Sequence, residues 1–190
     1  MDLESCRKCD LWRTRTKVVV GEGNEHADVM FIGEAPGYYE DQQGRPFVGP
    51  AGKFLDELIE SIGLKRRDVY ITNIVKCRPP GNRDPTEEEI RACLPYLEEQ
   101  IRKINPRVIV MLGRHASSTI MDRYNIKFNG ISQDHGKVFK ISSLFGVKKL
   151  IPMYHPAAAL YNPSLKEELK KDFKVIADEL RPEYKNEQAK

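Results

Sequence analysis

No stretch of this chain approaches the roughly 20 consecutive apolar residues that a membrane-spanning helix needs, so a membrane protein is not expected. The first residues, MDLESCRKCDLWRTRTK, are charged and lack an apolar segment, which argues against secretion and for the cytoplasm. No repeat, low-complexity tract or Ser/Gly-rich linker divides the chain. A single domain over 1–190 is therefore expected, with a frayed tail at about 183–190. The phosphate cradles G-x-x-x-x-G-K-[ST] and G-x-G-x-x-G are both missing, which excludes the usual nucleotide-binding loops. Cysteine is sparse, at four. In a reducing compartment disulfides are a poor default for them, and metal or cluster ligation takes precedence.

What is present is an ordinary globular composition. Hydrophobic residues make up 40% and charged residues 31% of 190, enough apolar content for a sizeable core. The net charge of +3 is mildly basic. WRTRTK at 12–17, KRR at 65–67 and KCRPPGNR at 76–83 gather positive charge near expected loops. Such runs are most often solvated faces, so they do not identify a polyanion partner by themselves.

Strand and helix signals alternate. DVMFI at 28–32, DVYITNIV at 68–75, RVIVMLG at 107–113 and KKLIPMY at 148–154 read as buried strands, and GKVFKI at 136–141 alternates as an edge strand would. PAGKFLDELIESIG at 50–63 has helical spacing of apolar residues with Gly63 as its stop. Thr86 and Glu89 form a possible capping box at a helix start, and that helix carries Cys93 inward with a bend expected at Pro95. A further helix runs to about Tyr124, and an amphipathic one starts at about Pro163. The order predicts an α/β fold with a mainly parallel sheet.

Ligands of such sheets bind beyond the carboxyl ends of the strands. The first strand ends in Gly33-Glu34-Ala35-Pro36-Gly37, the second delivers Thr72-Asn73 and the fourth delivers His155, so three polar features converge on one rim. Gly33 and Gly37 allow close backbone approach while Pro36 removes a donor, which suits a flat polar heterocycle. Asn73 interrupts an apolar strand, where a lone amide is costly unless bonded. A structural bond to a nearby loop is its commoner fate, yet an amide offers one donor and one acceptor side by side, the complement of uracil N3–H and O4. A neutral His155 at the rim can donate to a carbonyl oxygen that gains charge. Phe47, in GRPFVG, is either core or a stacking platform for an aromatic ligand.

Cys6 and Cys9 form a C-x2-C pair, whereas Cys77 and Cys93 are separated by residues 78–92. The pattern suits a cluster that gathers distant segments. Zinc remains open on spacing alone.

In combination, C-x2-C at 6–9, GEAPGYYED at 33–41, GRPFVGPAG at 44–52, TNIVKCRPPGNRDP at 72–85, Cys93 and HPAAAL at 155–160 resemble the family-four, thermostable-type uracil-DNA glycosylases, which carry an iron–sulfur cluster. The resemblance covers nearly the whole chain. It implies a three-layer fold with a central four-stranded, mainly parallel sheet flanked by helices. It also implies removal of uracil from single- and double-stranded DNA, and one 4Fe–4S cluster on Cys6, Cys9, Cys77 and Cys93. Gly33, Glu34, Ala35, Glu40, Phe47, Asn73 and His155 would bind uracil. Phe47 would stack, Asn73 would read the base, His155 would donate to O2, and Glu40 would exclude the methyl of thymine. Glu34, Asn73 and His155 would be catalytic, with either Glu34 or Asn73 orienting the water.

Ala35 occupies the place of the water-activating Asp in the G-Q-D-P-Y motif of family-one enzymes, which points to dissociative cleavage. Reaching the base requires flipping it from the duplex. Lys76, Arg78 and Arg83 are expected on phosphates and Asn82 in support of the site. Leu160 and Tyr161 are expected either to fill the vacated stack or to pack under the last helix. A monomer is the simplest expectation, and no clamp-binding peptide stands out. Three rival readings remain: a non-catalytic iron–sulfur or zinc nucleic-acid-binding module, a small electron-transfer protein, and a sister glycosylase with broader base tolerance.

Overall fold

A computed structural model describes residues 2–143 and 146–181; the tail at 183–190 lies outside them. Six strands form one sheet: β1 (Glu22–Gly23), β2 (Val29–Gly33), β3 (Tyr70–Asn73), β4 (Val108–Leu112), β5 (Phe139–Ser143) and β6 (Gly146–Met153). Their order is β1-β3-β2-β4-β6-β5. The four expected parallel strands, β3, β2, β4 and β6, are its centre. β1 and β5 extend it antiparallel at the two edges, so the sheet is mixed and six-stranded. β5 takes the edge that its alternating sequence predicts.

Every residue of β2, β3 and β4 is buried, as strands covered by helices on both faces must be. Successive side chains go to opposite layers. Met30, Ile32, Ile109 and Met111 face helices α3 (Glu87–Ile104) and α4 (Arg114–Arg123), through Leu97, Ile101, Ile120 and Met121. Val29, Phe31, Val108 and Val110 face α2 (Pro50–Ser61) and α7 (Pro163–Leu180), through Leu55, Leu58, Leu169 and Phe173. Phe31 and Phe173 stack with centroids 5.6 Å apart.

Local signals explain the helix ends. Thr86 and Glu89 make the capping box in both directions, at 3.2 and 2.8 Å. From it α3 runs on as a single helix of 18 residues through Pro95. α2 stops where Gly63 takes a positive φ of 81°. GEAPG leads into a short helix, Tyr38–Gln43, that the turn-like sequence had hidden. Buried Asp41 ties it to the N-terminal segment by accepting from Thr16 N at 2.8 Å. Register does the rest: Gly33 lies beside Asn73 across β2 and β3, and Met153 ends level with Leu112. His155 is two residues beyond β6, so all three strand ends open onto the same rim.

Candidate active site

The rim holds a cleft of about 450 Å3, open to solvent on one side. Its walls include Glu34, Glu40, Phe47, Asn73, Asn82 and His155. Its floor is tight. A Cβ at Gly33 would lie 2.4 Å from Asn73 Oδ1 and 2.7 Å from the Phe47 ring, so only glycine lets amide and ring close over the strand end. Asn73 is almost completely buried, and among the described residues its side-chain amide makes no hydrogen bond to the protein. No completely sealed side-chain N or O among the described residues lacks a partner, so this amide is open to the cleft, where it is free to bond a ligand.

Phe47 has φ 48°, in the left-handed region that non-glycine residues seldom visit. Its ring lies against His155 with centroids 5.5 Å apart and planes 25° from parallel. The His155 ring accepts the Ala157 backbone N–H on Nδ1 at 3.0 Å, which places the proton of the neutral ring on Nε2. Burial lowers the His155 pKa to about 4, against a smaller opposing pull from Glu40. The ring is therefore neutral at physiological pH, with Nε2–H free to donate.

Glu40 accepts from the backbone N–H groups of Val48 and Gly49 at 3.1 and 3.3 Å, which aims its carboxylate into the cleft wall. Glu34 is half-buried. Burial, then the neighbouring Asp84 carboxylate, push its pKa up to about 7, and Arg114 opposes the rise. His115 stands behind, with Nε2 3.1 Å from Asp84. Asp84 and His115 are neighbours that sequence did not reveal, because Asp84 read as part of a helix start.

The expected DNA contacts divide. Lys76 is a correction. Its side chain is fully buried, and its ammonium donates to Thr72 Oγ1 at 2.6 Å, Asn73 O at 2.6 Å and Gln100 Oε1 at 2.7 Å. It supports Asn73 from behind and does not reach a phosphate; burial lowers its pKa to about 7. Arg78 stays at the cleft mouth, over the Tyr38 ring at 5.4 Å, with Nε donating to Asn82 Oδ1 at 2.6 Å. Arg83 is exposed but forks onto Glu89 at 2.9 and 2.7 Å. Leu160 is partly packed and lines the cleft, while Tyr161 is 94% exposed.

The four cysteines meet around a separate, tightly packed space on the α3 side of the sheet. Two side chains donate to sulfur: Arg15 Nη1 to Cys77 at 3.2 Å and Tyr96 Oη to Cys6 at 3.2 Å. Sequence had marked Arg15 only as part of a basic run. Burial raises the thiol pKa values of Cys9 and Cys77, and that of Cys93 to about 11. Among the described residues, no three of these sulfurs lie mutually within 4.8 Å.

The sequence profile of the uracil DNA glycosylase superfamily matches residues 20–181. A type-4 uracil-DNA glycosylase from Archaeoglobus fulgidus is 52% identical over 177 residues, covering 93% of this chain and 89% of that protein. The type-4 uracil-DNA glycosylase of Saccharolobus solfataricus is 52% identical over 94% of this chain and 83% of its own length. That of Sulfurisphaera tokodaii is likewise 52% identical, over 92% and 80%.

Proposed function

We propose how this chain works from one premise: it belongs to the uracil-DNA glycosylase superfamily, in the type-4 branch. It is a uracil-DNA glycosylase, an enzyme of DNA repair. The observation that carries its substrate reading is the Asn73 amide, facing the cleft with no hydrogen-bond partner among the described residues, beside the Phe47 ring and the Nε2–H of His155. A flipped uracil stacked on Phe47 offers N3–H and O4 to that amide. Cytosine presents the opposite polarity, so an amide held in one orientation rejects it. Glu40, held on two backbone N–H groups, crowds C5 and excludes the methyl of thymine.

In the reaction the C1′–N1 bond breaks and its electron pair leaves with uracil as an anion. The Nε2–H of His155 donates to O2 as charge collects there; one preorganised donor of this kind is worth roughly 2.7–4 kcal/mol. Water adds to C1′ and gives its proton to the Glu34 carboxylate, leaving an abasic sugar. The raised pKa of Glu34 suits a group that must accept a proton near neutrality. The lost base leaves a gap that the exposed Tyr161 ring fills.

The separation of the cysteine sulfurs suits a group larger than one ion. Tetrahedral zinc, with Zn–S bonds of about 2.3 Å, needs its sulfurs roughly 3.8 Å apart, whereas these four are spread more widely. Cys6, Cys9, Cys77 and Cys93 would hold a 4Fe–4S cluster, with Arg15 and Tyr96 donating to its thiolates. The cluster's contribution is a staple that ties the N-terminal segment to α3 and the 77–83 loop.

A strand-cleavage assay tests this reading: oligonucleotides with one uracil, single-stranded or opposite G or A, followed by alkali. Cleavage at uracil and not at cytosine or thymine is expected, fastest where least pairing is lost. Equal cleavage at hypoxanthine would replace uracil specificity with a broader deaminated-base activity. No cleavage by a folded, brown protein would leave a DNA-binding cluster module.

A further inference from the structure

The KRR stretch at 65–67 reads from sequence as surface charge, but its central residue turns inward. Arg66 starts the 3-10 turn at Arg66–Asp68, between α2 and β3, and its side chain is only 19% exposed. The guanidinium spends its fork on the loop before α2. Nη1 donates to Phe47 O at 2.9 Å and Nη2 donates to Pro46 O. The remaining contacts fix the fork itself: Nε to Glu22 Oε1 at 2.9 Å and Nη1 to Asp56 Oδ1 at 3.0 Å. Glu22 is held in turn by Arg45, at 2.8 and 2.9 Å.

Phe47 is the non-glycine residue of this loop with φ 48°. Such a conformation is strained and persists only where its surroundings over-determine it. Two features do so. α2 presses on the Phe47 carbonyl from one side, since a Cβ at Gly52 would lie 1.9 Å from Phe47 O. Arg66 pulls on the same carbonyl from the other side. An extended Phe47 would swing its ring off Gly33 and His155.

We propose that Arg66 is a positioning residue for uracil: by clamping the Pro46 and Phe47 carbonyls it holds Phe47 left-handed, and so keeps the stacking face of the pocket in place. It touches no substrate. The inference rests on the reading of Phe47 as the stacking residue, and a double-mutant cycle separates the two.

The readout is the inhibition constant of free uracil, with kcat, KM and the melting temperature measured alongside. Arg66→Met should weaken uracil roughly tenfold, the scale of one stacked base, and raise KM more than it lowers kcat. Arg66→Lys should fall between, because an ammonium cannot fork across two carbonyls. Phe47→Ala should weaken uracil at least as much. The double variant Phe47→Ala/Arg66→Met should be no weaker than Phe47→Ala alone, since Arg66 acts through Phe47. Unchanged inhibition in Arg66→Met and Arg66→Lys overturns the proposal, as do fully additive losses in the cycle. If Phe47→Ala itself leaves uracil binding unchanged, the stacking reading fails instead. Should Arg66→Met not fold, Arg66→Lys and Glu22→Gln carry the same comparison.

Discussion

The segment TNIVKCR at 72–78 serves two pockets of opposite character. At one end Asn73 faces a wide cleft open to solvent, with an amide that no group among the described residues bonds. Four residues later Cys77 faces a small space closed by Leu3, Trp12 and Tyr96, where neighbours already donate to sulfur. The difference is that between a visiting and a resident ligand. A group that comes and goes must find polar atoms left unmet and a way in. A group that stays can be sealed by apolar and aromatic side chains, and its sealing adds to the fold. Lys76 lies between the two, its ammonium gripping the Asn73 carbonyl while it lines the cysteine pocket.

The largest effect should come from emptying the closed pocket. Cys77→Ala is expected to lose the brown absorbance and to lower the melting temperature by roughly 10 °C or more, because binding energy of a resident metal group is folding energy. A cluster-free variant that stays folded and fully active would break the comparison, leaving the cysteine pocket without a structural role. Asn73→Ala comes next. It should cut kcat by roughly 100- to 1000-fold while leaving absorbance and melting untouched. Near-normal turnover would remove Asn73 from the mechanism.

A smaller, graded effect concerns Glu34. On the proposed mechanism its carboxylate takes the proton of water; with burial raising its pKa to about 7, kcat should fall about tenfold per pH unit below that value. Glu34→Gln should flatten the profile. Stability runs the other way. The folded state binds this proton more tightly than the unfolded chain, so the stabilisation is complete below about 4.5 and fades as pH rises through about 7. Glu34→Gln should therefore raise the melting temperature at pH 8, and a lower one would contradict the assignment. The smallest effect separates the basic residues by salt dependence. Arg78→Gln should reduce the slope of log affinity against log salt by about 0.9, one phosphate contact. Lys76→Met should leave the slope unchanged while slowing turnover, because its ammonium holds Asn73 and meets no phosphate.

Much of this protein is legible in the order of its residues. Buried parallel strands need unbroken apolar runs, helix starts need caps, and helix ends need a residue such as Gly63 that takes a positive φ. Those are local demands, met by neighbours in the chain. The four central strands, the Thr86–Glu89 box and the convergence of Gly33, Asn73 and His155 on one rim all follow from them. The four cysteines stand out in sequence as one close pair and two distant partners, although Cys77 and Cys93 themselves lie buried in the core.

What the sequence does not determine is the direction of the long polar side chains. Lys76 and Arg78 are two residues apart in one basic stretch, yet one is sealed behind Asn73 and the other stands at the cleft mouth. Arg66 looks like its neighbours Lys65 and Arg67 until Glu22, Asp56 and two loop carbonyls are seen around it. The partners that decide these outcomes lie far away in sequence: Gln100 for Lys76, Glu22 for Arg66, and Phe47 for the His155 ring it stacks on. A flexible charged chain goes where acceptors are assembled, and only tertiary structure assembles them.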